Sequence, residues 1–442
     1  MSAKAATEFL KIDRRILADS GTSGESGRNL HHLCDRIGPR FAGTPGYRAA
    51  ADYMLGVFKK YRLDSAELEP FEFLAWRRGE PAELAMLKPF ERPCPCYALP
   101  YGAPTAPGGV EADVVSIGAG SEEEIEGNRK LIKGGLVLTT SKAAHRTDIF
   151  ERCASLGAAG FILASGVEGM ALPTGTVANG ERTTMPAVGI GHESALQIER
   201  FVKEGTVRFR LTMNPSYELT TCWNVVGELT GTESPDELVV MGGHLDSHEI
   251  GPGAMDNAAG AVQVMEAARL LSKQRKHLKR TVRFIGFGAE EVGLLGSHHH
   301  AKKHSARLRR ARFMLNSDCP GLGSPKGLVF HECPGAREYV ESLSREMDTP
   351  IAFRERFHSH SDHYPFVLKG LPTAGMSSGR FSPSIRYYAH MAADTPDKIS
   401  LTDLRDGAAL AARMLLRASS DEDWPLTRRS PAEIKRLLSS GS

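Results

Sequence analysis

The second half of the chain contains five residues whose side chains commonly bind metal ions: His244, Asp256, Glu291, Asp318 and His390. Imidazole and carboxylate are ligands that suit zinc. The three carboxylates, with two neutral imidazoles, carry a combined charge of about −3. One divalent cation would leave a costly surplus of negative charge in a cleft, whereas two bring the centre close to neutrality. The residues therefore predict two divalent metal ions, zinc by preference, with Asp256 as the bridging ligand because it lies between His244 and Glu291 in the sequence.

Two further acidic residues next to these ligands have supporting roles in this hypothesis. Glu290 directly precedes Glu291. It is predicted to be the general base that takes a proton from the attacking water and passes it to the leaving amine. Asp246 follows His244 by two positions, so on an extended segment both side chains point the same way. It is predicted to orient His244 rather than to bind a cation. The chemistry that these residues predict is metal-assisted hydrolysis.

The predicted elements explain how residues so distant in sequence could meet. Apolar stretches predict strands at Leu238–Met241, Thr281–Phe287 and Phe313–Asn316, with a helix at Ala258–Leu271 after the first. This alternation is typical of an α/β fold with a mostly parallel mixed sheet flanked by helices. Ligands in such sheets bind beyond the carboxyl ends of the strands. His244, the Glu290–Glu291 pair and Asp318 all follow predicted strands, so we expect them to share one site.

The domain organisation follows from length and composition. A chain of 442 residues is too long for one ordinary hydrophobic core. A Pro- and Gly-rich stretch at 104–109 indicates a boundary, and the α/β segment beyond it closes near residue 215. We therefore expect a catalytic domain in two parts, 1–106 and 216–442, interrupted by a smaller α/β or β-rich domain at 107–215.

Bulk properties bear on partners and location. A net charge of +2 argues against a nucleic-acid partner. The amino end has no apolar core of a signal peptide, and no window is apolar enough to span a bilayer. Seven scattered cysteines do not suggest a disulfide framework. These features favour a cytoplasmic protein without a membrane partner. They leave a homodimer formed through the insertion open.

A second group of potential ligands, the adjacent residues His298, His299 and His300, is interpreted differently. Three neighbouring side chains on a helix face different directions, so they are predicted to be solvated.

Taken together, the motifs resemble those of the co-catalytic zinc exopeptidases of clan MH, the group of aminopeptidase Y, bacterial leucine aminopeptidases and carboxypeptidase Q. The matching segments are H-L-D-S-x-x-x-G-x-G-A-M-D from His244 to Asp256, Gly-Ala-Glu-Glu at 288–291, Asn-Ser-Asp at 316–318, Ser-Asp-His-Tyr-Pro-Phe at 361–366, and the pair His390 and Asp394. The sequence departs from the family pattern at Met391, where a threonine is usual.

The resemblance implies how the ligands divide and what the chain does. His244, Asp256 and Asp318 would hold one zinc ion, and Asp256, Glu291 and His390 the other. It also implies a cis peptide bond at Asp256-Asn257 and a protease-associated domain as the insertion. The expected substrate is a peptide or dipeptide cleaved at a chain end. An aminopeptidase is favoured, a dipeptidase or carboxypeptidase of the carboxypeptidase Q type is the alternative, and a catalytically inactive binding scaffold is third.

Five residues are candidate substrate contacts. Tyr387 and Tyr388 precede His390 and could stabilise the tetrahedral oxyanion. Arg380 and Arg386 could bind a free carboxylate through two parallel hydrogen bonds, which would favour the dipeptidase or carboxypeptidase alternative. His363 is expected near the pocket from the resemblance.

Overall fold

The structure is a computed structural model that describes residues 3–320, 323–379 and 388–440. The strands in these ranges form two eight-stranded sheets. In chain order they are β1 Ser65–Arg77, β2 Glu83–Lys88, β3 Arg92–Cys94, β4 Cys96–Ala98, β5 Val110–Ser116, β6 Leu136–Thr139, β7 Gly160–Ala164, β8 Ala187–Ile190, β9 Arg208–Thr212, β10 Ser216–Leu229, β11 Ser234–His244, β12 Arg280–Phe287, β13 Ala311–Asn316, β14 Lys326–Phe330, β15 Ala352–Glu355 and β16 Thr373–Ser378.

The helices alternate with these strands along most of the chain. They are α1 Ala3–Thr22, α2 Glu25–His31, α3 Pro45–Lys60, α4 Glu122–Gly127, α5 Arg129–Ile132, α6 Arg146–Ser155, α7 His192–Glu204, α8 Ala259–Ser272, α9 Leu295–Lys303, α10 Ser305–Leu308, α11 Ala336–Glu346, α12 Tyr364–Val367, α13 Leu401–Ser420 and α14 Pro431–Ser440. Two π-helical turns, His32–Ile37 and Ala254–Ala258, and two 3-10 turns, Arg275–His277 and Pro396–Lys398, complete the described elements.

The first sheet has the strand order β1-β10-β12-β11-β13-β16-β14-β15. Its centre is parallel, because β11 pairs in parallel with β12 and β13, and β13 with β16. The pairs β1–β10, β10–β12 and β14–β16 are antiparallel. Helices α8 and α13 pack on each other and on the central strands. The predicted α/β class, with a mixed sheet flanked by helices, is confirmed.

Strand β11 shows why the centre of this sheet is stable. Leu238, Val239, Val240 and Met241 are all fully buried. Val239 and Met241 belong to one hydrophobic cluster, whereas Leu238 and Val240 belong to another. Since successive side chains of a strand point to opposite faces, the two clusters lie on opposite faces of the sheet. Burial on both faces is what a continuous apolar run predicts in a parallel sheet.

The second sheet has the order β3-β2-β9-β5-β6-β7-β8-β4. It includes β2, β3 and β4, which precede the boundary predicted at residue 107. The Pro- and Gly-rich stretch lies between β4 and β5 and thus connects two strands of one sheet. We therefore propose that the insertion runs from Glu83 to Thr212, between β1 and β10, which pair with each other in the first sheet. Within the described ranges, no helix has an apolar stretch long enough to cross a bilayer.

Candidate metal centre and its cavity

Three of the predicted ligands meet at the carboxyl end of the central strands. His244 is the last residue of β11, Asp318 follows β13, and Asp256 lies in the turn before α8. His244 Nε2 is 3.1 Å from Asp256 Oδ1 and 3.5 Å from Asp318 Oδ1. The ligand atoms of these three residues lie close enough to hold one metal ion together.

A second group lies on the other side of Asp256. His390 Nε2 is 3.1 Å from Asp256 Oδ2 and 3.3 Å from Glu291 Oε2. His248 joins this group, with its Nε2 atom 2.9 Å from Glu291 Oε2. Asp256 thus presents one carboxylate oxygen to each group, which is the arrangement expected of a bridging ligand. The assignment of the five ligands stays a prediction, but the structure brings all five together.

The backbone around Asp256 is held by two side chains. Asp394 Oδ1 and Oδ2 accept hydrogen bonds from the backbone N–H groups of Met255 and Asp256, at 2.8 and 3.0 Å. Asn257 Nδ2 donates to the carbonyls of His244 and Ser317, at 3.3 and 2.9 Å. These contacts fix the turn to the ends of two strands. The peptide bond Asp256-Asn257 is cis, as the resemblance predicted.

Asp246 supports the site in two ways. It is fully buried, and its carboxylate oxygen Oδ1 lies 3.7 Å from His244 Nδ1. The same carboxylate accepts the backbone N–H groups of Glu290 and Glu291, at 3.2 and 3.1 Å. His244 Nδ1 lies closer to the backbone carbonyl of Asp246, at 3.2 Å. Asp246 therefore holds the backbone of the Glu290–Glu291 turn at least as closely as it contacts the ring of His244.

The electrostatics of the cluster reflect its surplus of carboxylates. Burial lowers the pKa of His390, but Glu291 and Asp256 outweigh it and raise the pKa to about 10. Burial also lowers the pKa of His244, but the surrounding carboxylates outweigh it and raise this pKa well above its usual value. Burial raises the pKa of Glu290 well above the usual range, and Asp318 and Glu291 add to the rise. The cluster is thus a strongly negative, desolvated region that attracts cations.

The donor atoms fit two divalent cations. Glu291 Oε1 is buried without a hydrogen-bond partner among the described residues, which is costly for a charged group unless a cation compensates. The donor set is all oxygen and imidazole nitrogen, which suits zinc, manganese or cobalt. Ligand-to-ligand separations of 3.1 to 3.5 Å match the roughly 3.4 Å that bonds of about 2.1 Å give in tetrahedral geometry.

A cavity of about 1280 Å³ opens over these groups. Glu290 and the candidate ligands His244, Asp256, Glu291 and Asp318 line one side. Residues of the second sheet and its loops line another. The two groups of candidate ligands therefore lie at a cleft between the two sheets, where a peptide end could approach them.

The predicted substrate contacts have mixed outcomes. Arg380, Arg386 and Tyr387 lie outside the described residues. Tyr388 is described, but its ring lies 5.1 Å from Lys398 Nζ and it is not among the described residues that line the cavity. His363 does line the cavity. All five roles stay predictions.

Arg146 is the first residue of α6, which lies in the chain segment that contains the second sheet. It lines the same cavity, and the sequence did not predict it. Its Nε atom donates to Thr176 O at 2.7 Å, and a Cβ atom at Gly175 would lie only 2.4 Å from that nitrogen. Burial lowers the pKa of Arg146, while Glu291, Glu290 and Asp256 raise it. Among the ion pairs of the described residues, Arg146 takes part in none. Arg146 reaches the candidate ligands only because the chain beside the second sheet packs near the first sheet. No local sequence pattern indicates such packing.

One prediction outside the site is wrong. His300 is fully buried rather than solvated. Its Nδ1 atom is 2.9 Å from Glu69 Oε1, and Arg283 Nη1 is 3.1 Å from its Nε2 atom. Only one of three adjacent helical side chains needs to face inward, and β1 supplies a buried carboxylate for it. His298 is exposed and His299 is half-buried.

Comparison with known proteins agrees with this geometry. Residues 224–415 match the model of "Peptidase family M28". Carboxypeptidase Q of Pongo abelii is 26% identical over 83% of this chain and 79% of that protein. Aminopeptidase YwaD of Bacillus subtilis is 26% identical over 92% of this chain and 87% of its own length.

A solved structure is also similar. A zinc aminopeptidase from Bacillus subtilis superimposes with a TM-score of 0.71 at 23% identity, covering 90% of this chain and 95% of that one. This likeness shows that the two chains share a fold. In its sequence match and its relatives, the chain is similar to the metallo-exopeptidases of peptidase family M28.

Proposed function

We propose that the chain is a dinuclear zinc exopeptidase that hydrolyses the terminal peptide bond of short peptides, with Glu290 as the general base. The observation that carries this proposal is Asp256, whose two oxygens face two separate groups of ligand atoms. The zinc of the Bacillus subtilis aminopeptidase agrees with the oxygen and imidazole donors found here.

The proposed mechanism assigns a task to each part of the site. Zinc ions bound there would polarise the scissile carbonyl and make an attacking water acidic. Glu290 takes the proton of that water and delivers it to the leaving amine. Asp246 holds the backbone of Glu290 and Glu291, and so fixes the base relative to the ligands. Asp394 and Asn257 fix Asp256 at the centre.

The first candidate activity is that of an aminopeptidase. The similarity to aminopeptidase YwaD over most of both chains supports it.

The second candidate is a dipeptidase or carboxypeptidase, and Arg146 is the observation that favours it. A guanidinium in the cavity without an ion-pair partner among the described residues can bind a free carboxylate through two parallel hydrogen bonds. The similarity to carboxypeptidase Q supports the same alternative.

The test of the general proposal combines metal analysis with a substrate panel. We expect about two zinc ions per chain by mass spectrometry, hydrolysis of aminoacyl-anilides or free dipeptides, and loss of activity on chelation that zinc restores. A protein that hydrolyses neither class with zinc bound would contradict the proposal.

The choice between the two candidates is tested with Arg146→Ala. If Arg146 binds the carboxyl end, the variant loses a charge-assisted hydrogen bond worth about 1.5–3 kcal/mol. The kcat/KM for a free dipeptide then falls about 10–100-fold, while that for the dipeptide amide stays nearly unchanged. Arg152→Ala is the matched control, since Arg152 is on the same helix but pairs with Glu122 and Glu126 at the surface. Equal rates on dipeptide and amide in the unmodified protein would favour the aminopeptidase.

A further inference from the structure

His248 is the one residue of the second ligand group that neither the motifs nor the resemblance predicted as a ligand. It lies four positions after His244, in the loop that follows β11. Its side chain is 4% exposed. The ring packs between Phe41, at 5.8 Å between ring centroids, and His390, at 4.4 Å. An imidazole in such a position is held rigidly and faces the metal centre.

The ring nitrogens of His248 make no well-aligned hydrogen bond to any residue that the structure describes. Neither Nδ1 nor Nε2 has one among the described residues, although Nε2 lies only 2.9 Å from Glu291 Oε2. The approach is therefore close but does not have the alignment of a hydrogen bond. Two donor atoms that approach side by side in this way are typical of two ligands of one cation. The pairs His390–Glu291 and His390–Asp256 approach at similar distances, 3.3 and 3.1 Å.

An alternative explanation is that His248 only orients Glu291 from outside the ligand sphere. That role requires a hydrogen bond from the imidazole N–H to the carboxylate, as outer partners of metal ligands normally make. The nearest other carboxylate, Glu249, is 3.6 Å from Nδ1 and also forms an ion pair with Arg78. Within the part of the chain that the structure describes, both ring nitrogens thus lack the aligned hydrogen bond that an orienting role needs.

We propose that His248 is a direct ligand of the second metal ion, together with Glu291, His390 and the shared Asp256. This inference rests on the dinuclear centre of the proposed function. It makes the two sites chemically different. The first site would have one imidazole and two carboxylates, whereas the second would have two imidazoles and two carboxylates.

The difference has a consequence for metal selectivity. Imidazole suits zinc and cobalt, whereas carboxylate-rich sites accept manganese and magnesium more readily. We therefore expect the second site to keep its zinc ion under conditions in which the first site exchanges zinc for another metal ion. A titration of the metal-free chain with zinc should show two classes of affinity.

The test measures metal binding rather than activity. In His248→Ala, the zinc affinity of the second site should fall by more than about 100-fold, beyond the roughly 10–100-fold typical of losing an outer partner. In the cobalt-substituted protein, the visible absorption of the second site should change as its coordination changes. His31→Ala is the control, since His31 is exposed at the surface and pairs with Asp35.

A second variant keeps the test independent of folding. In His248→Cys, cobalt bound at the second site should show a thiolate charge-transfer band, because a ligand at position 248 touches the ion. Thermal unfolding of the metal-free variants establishes that they fold. Zinc affinity reduced by less than about 100-fold, with no thiolate band, would overturn the inference. In that case two zinc ions and full hydrolysis in the unmodified protein would leave the proposed function intact, whereas a chain that binds no zinc would refute the proposed function itself.

Discussion

Glu290, the proposed general base, shows how burial and a fixed backbone affect a single side chain. Its backbone N–H is fixed by Asp246, and its side chain lines the cavity next to His244 and Asp318. Burial raises its pKa well above that of an ordinary glutamate. A carboxylate that holds a proton more readily is a better acceptor from water and can still deliver that proton to an amine.

The corresponding prediction concerns Glu290→Gln. The amide cannot accept the proton of the attacking water, so kcat should fall by about 10²–10⁴-fold while KM changes little. Steady-state kinetics and metal analysis of the same samples check this. If the variant lost its metal ions as well, Glu290 would be a ligand rather than the base.

The sequence indicated much of this site at the level of single residues. His244 and Asp318 follow continuous apolar stretches, which predict buried strands, and strand ends of one parallel sheet necessarily converge. His248 and Arg146 could not be predicted in the same way. His248 lies in a loop without periodicity, and Arg146 enters the cavity from another domain. Their positions depend on packing between segments that are distant in the chain.

At the scale of elements, the loop after β11 is organised by Arg40. This fully buried guanidinium donates to five backbone carbonyls, those of Leu33, Gly38, Leu245, Pro252 and Gly253. The segment before α3 and the loop that carries His248 are thereby joined. No sequence pattern indicates this role of Arg40, because any residue type can offer the backbone carbonyls that accept its hydrogen bonds.

Replacement of Arg40 tests this role. Arg40→Met keeps the length of the side chain but removes a donor from all five carbonyls, of which those of Leu33 and Gly253 still accept from Gly38 N and Ala258 N. We expect a loss of at least about 3 kcal/mol in the free energy of unfolding, since each unsatisfied buried group costs about 1–3 kcal/mol. Arg129→Met, at an exposed position, should change stability by less than about 0.5 kcal/mol. Urea denaturation of both variants provides the comparison, and equal midpoints would contradict the assigned role.

At the same scale, short strands explain why the proposed insertion, 83–212, and the one predicted from the sequence, 107–215, begin at different residues. The Pro- and Gly-rich stretch at 104–109 is a genuine break between elements, but it separates β4 from β5 within one sheet. Strands β3 and β4 have three residues each. Strands so short give no detectable periodicity, so their membership of the second sheet follows only from hydrogen-bond pairing.

At the scale of the whole molecule, a buried polar cluster joins β1, an edge strand of the first sheet, to α9. Glu69 Oε1 contacts His300, and Glu69 Oε2 lies 2.6 Å from His304 Nε2. Burial raises the pKa of Glu69, but the hydrogen bonds from His300 and His304 outweigh it and lower the pKa. Burial lowers the pKa of His300 to about 4, with Glu69 opposing.

This cluster predicts acid sensitivity of folding. The pKa of His300 is about 4 in the folded chain and about 6.5 when unfolded, so between these values the unfolded chain binds more protons. Stability should therefore fall as the pH is lowered from about 6.5 to about 4, by roughly 3 kcal/mol from this residue. His300→Gln cannot titrate, so its unfolding free energy should vary less over this range. Identical pH profiles for the two proteins would contradict the prediction.

One hydrogen bond joins the loop between β7 and β8 to a candidate metal ligand: Thr174 N donates to His390 O at 3.0 Å. Through it, the loop that holds Arg146 is anchored directly to a candidate ligand, and the cleft is bridged at that point. A shift of the second sheet against the first would therefore be transmitted to the backbone of His390, and through it to the spacing between His390, Asp256 and Glu291.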